Sequence, residues 1–227
     1  MRFLFAFALL AAVAIAAAHA QTPPNPEDLK IYAGLHEAAA KGDAAEITRL
    51  IAAGEKVNLQ DSKSRTPLHV AVFFRKYDAA RALLKGGANP NALDAERYDP
   101  VTIAAVQNDV EMLKILLEGG ASAKNITSRY NGTALIAAAH KGNVEIVKLL
   151  IAAKSPLNHV NNLGWTALME AIVLGNGGAN HTAIVKALVD AGADVNIADR
   201  QRTTPLQAAR TRGYSEMARI IEAAGGR

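Results

Sequence analysis

The sequence predicts an all-α repeat protein, a solenoid of about six helix-turn-helix units, on three observations. The apolar residue that follows a proline-like position recurs as Leu35, Leu68, Val101, Leu135, Leu168 and Leu206, in steps of 33, 33, 34, 33 and 38 residues. A helix-start signature accompanies the recurrence and is clearest at Thr66-Pro67-Leu68-His69: Thr66 suits an N-cap, and Pro67 sits where a first helical turn tolerates a missing N–H. Turn glycines close the units, with Gly42, Gly142 and Gly213 between the two helices of a copy and Gly87 after the second helix. A fixed period of this length marks a stack in which each unit covers the bare apolar side of the one before.

Within the clearest unit, Leu68, Ala71 and Val72 fall at i, i+3 and i+4, and Ala79, Ala80, Leu83 and Leu84 repeat that spacing after a break at Arg75 to Tyr77. These are two short helices, each with one apolar face. The pattern resembles the ankyrin repeat family in its Thr66-Pro67-Leu68-His69 and Thr204-Pro205-Leu206 starts and its Gly192-Ala193-Asp194-Val195-Asn196 exit. The resemblance covers Glu27 to Arg227. It implies stacked helix pairs with β-hairpin fingers projecting from one edge, used to bind other proteins, and His36 and His69 match the family's structural histidine, which bonds turn backbone.

Ahead of the repeats, Arg2 precedes sixteen apolar residues, Phe3 to Ala18, and Ala18-His19-Ala20 offers small residues where a signal peptidase reads. Residues 1–20 are therefore expected to be a secretory leader, shorter than the roughly 20 apolar residues of a membrane span. Cleavage near Ala20 would place the protein in a bacterial periplasm or beyond it, with no membrane attachment. Residues 21–26 form a Pro-rich spacer, and Asn25-Pro26-Glu27-Asp28 reads as an N-cap with an acidic first turn, opening a repeat domain over 27–227. With no cysteine in the chain, neither a lipid-modified N-terminal cysteine nor a disulfide framework can form. Loss of Arg2 leaves 24 basic against 21 acidic residues, a net +3 too small to argue for nucleic acid.

The copies depart from their pattern in order. The first has Ala33-Gly34 for Thr-Pro and exposes Lys30, Glu37 and Lys41, as a terminal cap should. In the interhelical turn Arg75 and Asn108 stand where glycine is usual, and Lys154 replaces the glycine after the fourth copy, so all three are expected at positive φ, Arg75 and Lys154 with strain and by drift. Gly175-Asn176-Gly177-Gly178-Ala179-Asn180 supplies the extra length of the fifth copy and is expected to be a flexible edge loop. In the last copy Arg210, Arg212, Glu216, Arg219 and Glu222 give a polar closing surface.

No catalytic constellation is present: no cysteine nucleophile, HExxH pair or GxxxxGK loop. His36 and His69 lie one repeat apart, too far for a shared metal when stacked helices are roughly 8 to 10 Å apart. His140, His159 and His181 are singletons, and Asp94, Glu96 and Asp99 read as a polar turn. No metal, cofactor or catalysis is expected.

The expected function is binding of a folded protein by a monomer. In the family the finger residue two before the proline-like position faces a partner, which here selects Arg65, Tyr98, Trp165 and Thr203. The variable end of the inner helix, also a contact surface, adds Phe73, Phe74, Gln107, His140 and Leu174. Aromatic residues and arginine dominate binding hot spots. Resemblance to periplasmic bacterial members of the family implies restraint of an exported cell-wall enzyme or toxin, as an immunity protein, or support of a stress enzyme such as a catalase.

Overall fold

A computed structural model of the chain describes residues 21–227, and the leader expected over 1–20 lies outside them. The described residues form thirteen α-helices. A short opening helix, α1 (Pro26–Ile31), is followed by six pairs: α2 (Gly34–Lys41) with α3 (Ala44–Ala52), α4 (Pro67–Phe73) with α5 (Tyr77–Lys85), and α6 (Pro100–Val106) with α7 (Val110–Glu118). The chain continues with α8 (Ala134–Lys141) and α9 (Val144–Ala152), α10 (Ala167–Val173) and α11 (Ala179–Asp190), then α12 (Pro205–Thr211) and α13 (Ser215–Ala223). No helix among the described residues is long and apolar enough to cross a membrane.

The first helices of the pairs pack in series, α2 on α4 on α6 on α8 on α10 on α12, and the second helices do the same from α3 to α13. Each layer exists because every helix buries one stripe. Leu35, Leu68, Val101, Leu135, Leu168 and Leu206 are all buried, as are Ile47, Leu83, Leu116, Leu150, Leu188 and Ile221 in the outer layer. Each such side chain removed from water stabilises by roughly 1.5–3 kcal/mol. Alanines at 38, 71, 104, 138, 171 and 209, three residues after the recurring apolar position, are all buried. Small side chains there leave room for close approach of the helices.

Helix starts follow the expected chemistry. Asn25 caps α1 in a reciprocal box with Asp28, and Thr66, Asp99, Thr133, Thr166 and Thr204 each accept a backbone N–H at the start of an inner helix. His36 Nε2 donates to the Arg65 carbonyl at 2.9 Å and His69 Nε2 to that of Tyr98 at 3.2 Å. The backbone N–H of Thr66 donates to His69 Nδ1, which leaves the proton on Nε2. Each of these two histidines thus fastens one repeat to the next finger.

The fingers are turns rather than β-hairpins. Among the described residues there is no strand and one isolated antiparallel bridge, Thr127 to Gly132. Asp61, Asp94, Asn161 and Asp199 each donate a backbone N–H to the carbonyl four residues on, and the side chain accepts the N–H groups of residues i+2 and i+4. One backbone bond between successive turns, such as Ala95 N–H to Lys63 O at 2.9 Å, is too few to build a ladder. The finger at 127–132 is one residue longer, which accounts for the step of 34.

Arg75, Asn108 and Lys154 adopt φ of 54°, 55° and 63°, the left-handed conformation expected of them. Arg75 also makes contacts across the stack: its Nη2 donates to the Gln107 carbonyl at 2.8 Å and its Nε lies 3.7 Å from Asp109. The insertion in the fifth copy is only partly a loop. Ala179 and Asn180 open α11, a helix of 12 residues where the other outer helices have 9. The remainder is pinned: Tyr214 donates to the Gly175 carbonyl at 3.1 Å, and His181 bonds Asn176 and the His140 carbonyl.

Candidate protein-binding face

The structure sorts the residues expected to meet a partner into two groups. Arg65 belongs to the wall. Only 1% of its side chain is exposed, with Nε 2.7 Å from Asp61 and Nη2 2.9 Å from Asp28 of α1. Lys63 adds a second cation 3.1 Å from Asp28, and Tyr32 donates to Asp61 at 2.6 Å. Burial works against the Asp28 carboxylate, but the Asn25 N–H and the two cations outweigh it and hold its pKa at about 2. The arginine expected to reach a partner therefore fastens α1 to the stack.

Tyr98 and Phe73 also turn inward, at 9% and 8% exposure, and pack in the core. Burial pushes the Tyr98 phenol up to about 12. Phe73 offers its carbonyl to Gln107 Nε2 at 3.1 Å, so Gln107 ties the second pair to the third. Phe74, Val106, His140, Trp165, Val173 and Leu174 remain half-buried, and Phe74, Trp165 and Val173 pack against the core. The indole N–H of Trp165 is enclosed and has no hydrogen-bond partner among the described residues.

A residue that sequence reasoning passed over is buried beside His140. Two positions after the recurring apolar residue stand Val70, Ile103, Ala137, Glu170 and Ala208, with Glu37 in the terminal copy. Glu170 replaces an apolar side chain in the body of the stack and is 4% exposed. Its Oε1 accepts from Asn161 Nδ2 at 2.9 Å, while Oε2 has no hydrogen-bond partner and lies 3.7 Å from His140 Nδ1. Burial raises the carboxyl to about 7, and the Asn161 bond offsets only part of that rise. Burial, the Lys141 ammonium and the His181 ring hold the His140 imidazole below its ordinary value. The signal was available: glutamate breaks an apolar column in the copy where the finger's opening aspartate is replaced by asparagine. Among the described residues no group of three His, Asp or Glu side chains is placed to hold a metal ion.

Residues 35–127 and 101–199 match the sequence model described as "Ankyrin repeats (3 copies)". The chain belongs to the ankyrin repeat family. A crystal structure of an ankyrin repeat domain from Acinetobacter baumannii AYE is 45% identical, with a TM-score of 0.82 over 85% of this chain and 98% of that one. The ankyrin repeat domain of Bcl-3, a member of the IkappaB protein family, is 26% identical with a TM-score of 0.77, over 87% of this chain and 88% of its own. The putative ankyrin repeat protein YahD of Escherichia coli strain K12 is 46% identical over 57 residues, 25% of this chain and 28% of YahD. Ankyrin repeats are modules of protein–protein interaction, typically without catalysis, and this chain carries six helix pairs of that kind.

Proposed function

We propose that this ankyrin protein is exported, loses residues 1–20, and as a monomer docks one folded protein on the face formed by its inner-helix ends and fingers, with no catalysis of its own. The observation that carries the reading is that Phe74, Val106, Trp165, Val173 and Leu174, at inner-helix ends and a finger, stay half-buried rather than closing into the core. Apolar and aromatic groups left part-exposed on one side of a rigid scaffold are what a partner's surface can cover.

The occupant we propose is an exported enzyme, of the cell-wall hydrolase kind that a producing cell restrains. A pull-down from periplasmic extract with the mature chain, repeated with Trp165→Ala and Phe74→Ala, tests the face. Loss of the partner from folded variants supports it, and full retention by both overturns it. The partner's activity with and without the chain separates restraint from support, and the mass of the purified periplasmic protein checks cleavage near Ala20.

A further inference from the structure

Glu170 is costly where it stands. An apolar side chain would fill the site, as Val70 and Ile103 do in earlier copies, and a buried carboxyl with one oxygen unpartnered is a loss the fold has no need to carry. Its surroundings are adapted to keep it. In the fingers opened by Asp61, Asp94 and Asp199 a carboxylate accepts the turn's backbone N–H groups, and aspartate at 161 would set a second carboxylate against Glu170. Asn161 accepts the same two N–H groups through Oδ1, from Leu163 and Trp165, and presents Nδ2 to Glu170 Oε1. One oxygen is thus fixed and the other left over, beside the half-exposed ring of His140. Burial and neighbouring charge keep that ring from becoming the missing cation.

We propose that Glu170 Oε2 is an anchor for a basic side chain, arginine or lysine, presented by the docked protein on the side of the half-exposed His140 ring. The inference rests on the docking reading above and gives it a chemical requirement: the partner brings a cation to the fourth and fifth repeats. A cationic N–H supplies the missing donor, and its charge favours the ionised carboxylate where the empty site disfavours it. Cost without a ligand and satisfaction with one is the signature of a binding residue rather than a structural one.

The chain's single tryptophan, Trp165, shares Asn161 with the site, so its emission reports on it. The test titrates the mature protein at pH 8 with acetyl-Gly-Arg-Gly-amide and with the citrulline peptide, which has the same shape without the charge. The expected result is a saturable emission change with the arginine peptide, at least tenfold weaker with citrulline and at least tenfold weaker in Glu170→Gln. Equal responses to the two peptides, an unchanged response in Glu170→Gln, or no response to arginine at millimolar concentration would each overturn the anchor. The pull-down with the Trp165 and Phe74 variants reads the docking face separately: a partner lost there but retained by Glu170→Gln leaves the face standing and removes the anchor.

Discussion

The second and fifth repeats solve the same packing problem with opposite treatments of charge. At the second, Arg65 is buried between Asp28 and Asp61, with Tyr32 and Lys63 completing the cluster, so charge of one sign is met by the other. At the fifth, Glu170 is buried with a single neutral donor and its second oxygen idle. The first arrangement fastens α1 at the N-terminal end of the stack, while the second leaves a carboxylate oxygen without a donor beside the half-exposed His140. Two buried charges can therefore serve construction and recognition, and whether an opposite charge is fixed against them distinguishes them.

The largest effect is expected where the charges are matched. Arg65→Ala leaves Asp28 and Asp61 as enclosed carboxylates, 11% and 8% exposed, and should cost about 3–5 kcal/mol at neutral pH. Urea unfolding should show it. The loss should shrink on acidification, because Asp28, with its folded pKa depressed to about 2, contributes stability above the ordinary carboxylate pKa that fades as pH falls toward 2. A variant as stable as the parent would mean that the cluster does not hold α1.

Glu170→Gln should act in the opposite direction. The folded pKa, about 7, lies above the ordinary 4.5, so the folded chain binds a proton more tightly and the residue's penalty grows as pH rises from 4.5 through 7. Glutamine keeps the acceptor for Asn161 and removes the charge, which should stabilise by about 3 kcal/mol at pH 8 and by almost nothing at pH 4. Denaturant midpoints of both proteins across that range check the sign. His69 runs the other way: burial lowers it to about 4, so its contribution is lost as pH falls from 6.5 toward 4. The two slopes oppose each other in the natural protein, and the variant should lose stability on acidification more steeply than its parent.

The same two repeats show how much was legible. Repeat number, helix starts and the left-handed turns at Arg75, Asn108 and Lys154 followed from spacing and residue type, because those features are local. Placement of Arg65 and Tyr98 did not follow: a finger position that is variable across a family does not say which way a side chain turns, and Asp28 lies 37 residues from Arg65 in a helix the repeat pattern does not include. Strands in the fingers failed for want of length, since five-residue turns joined by single bonds hold no ladder. Glu170 was passed over because the recurring leucines were followed while the column two residues on was not compared across copies.

Thr66 and Thr166 sharpen the contrast at smaller amplitude. Both cap an inner helix, but the Thr66 hydroxyl also contacts His69 Nδ1 at 2.9 Å, a ring that ties the repeat to the next finger, whereas Thr166 serves only the Met169 N–H. Thr66→Ala should therefore cost about 1 kcal/mol more than Thr166→Ala, the worth of one further hydrogen bond above a cap of about 1 kcal/mol. Equal losses in thermal midpoint would mean that the histidine keeps its place without the hydroxyl.

The smallest effect lies at Arg75, where strain and contact oppose each other. Glycine would relieve the positive φ of 54° by up to about 1 kcal/mol, but it would surrender the bond to the Gln107 carbonyl, an exposed contact worth about the same. Arg75→Gly should thus leave stability nearly unchanged, while Arg75→Ala, which keeps the strain and loses the bond, should fall about 1 kcal/mol below it. If glycine instead stabilises by the full relief of strain, the arginine bond contributes nothing and the substitution is drift. If glycine destabilises as much as alanine, the turn is held by its neighbours and left-handed strain has no part in it. Between those outcomes, the difference between the two variants measures the backbone term, and the position of Arg75→Ala relative to the parent measures the contact.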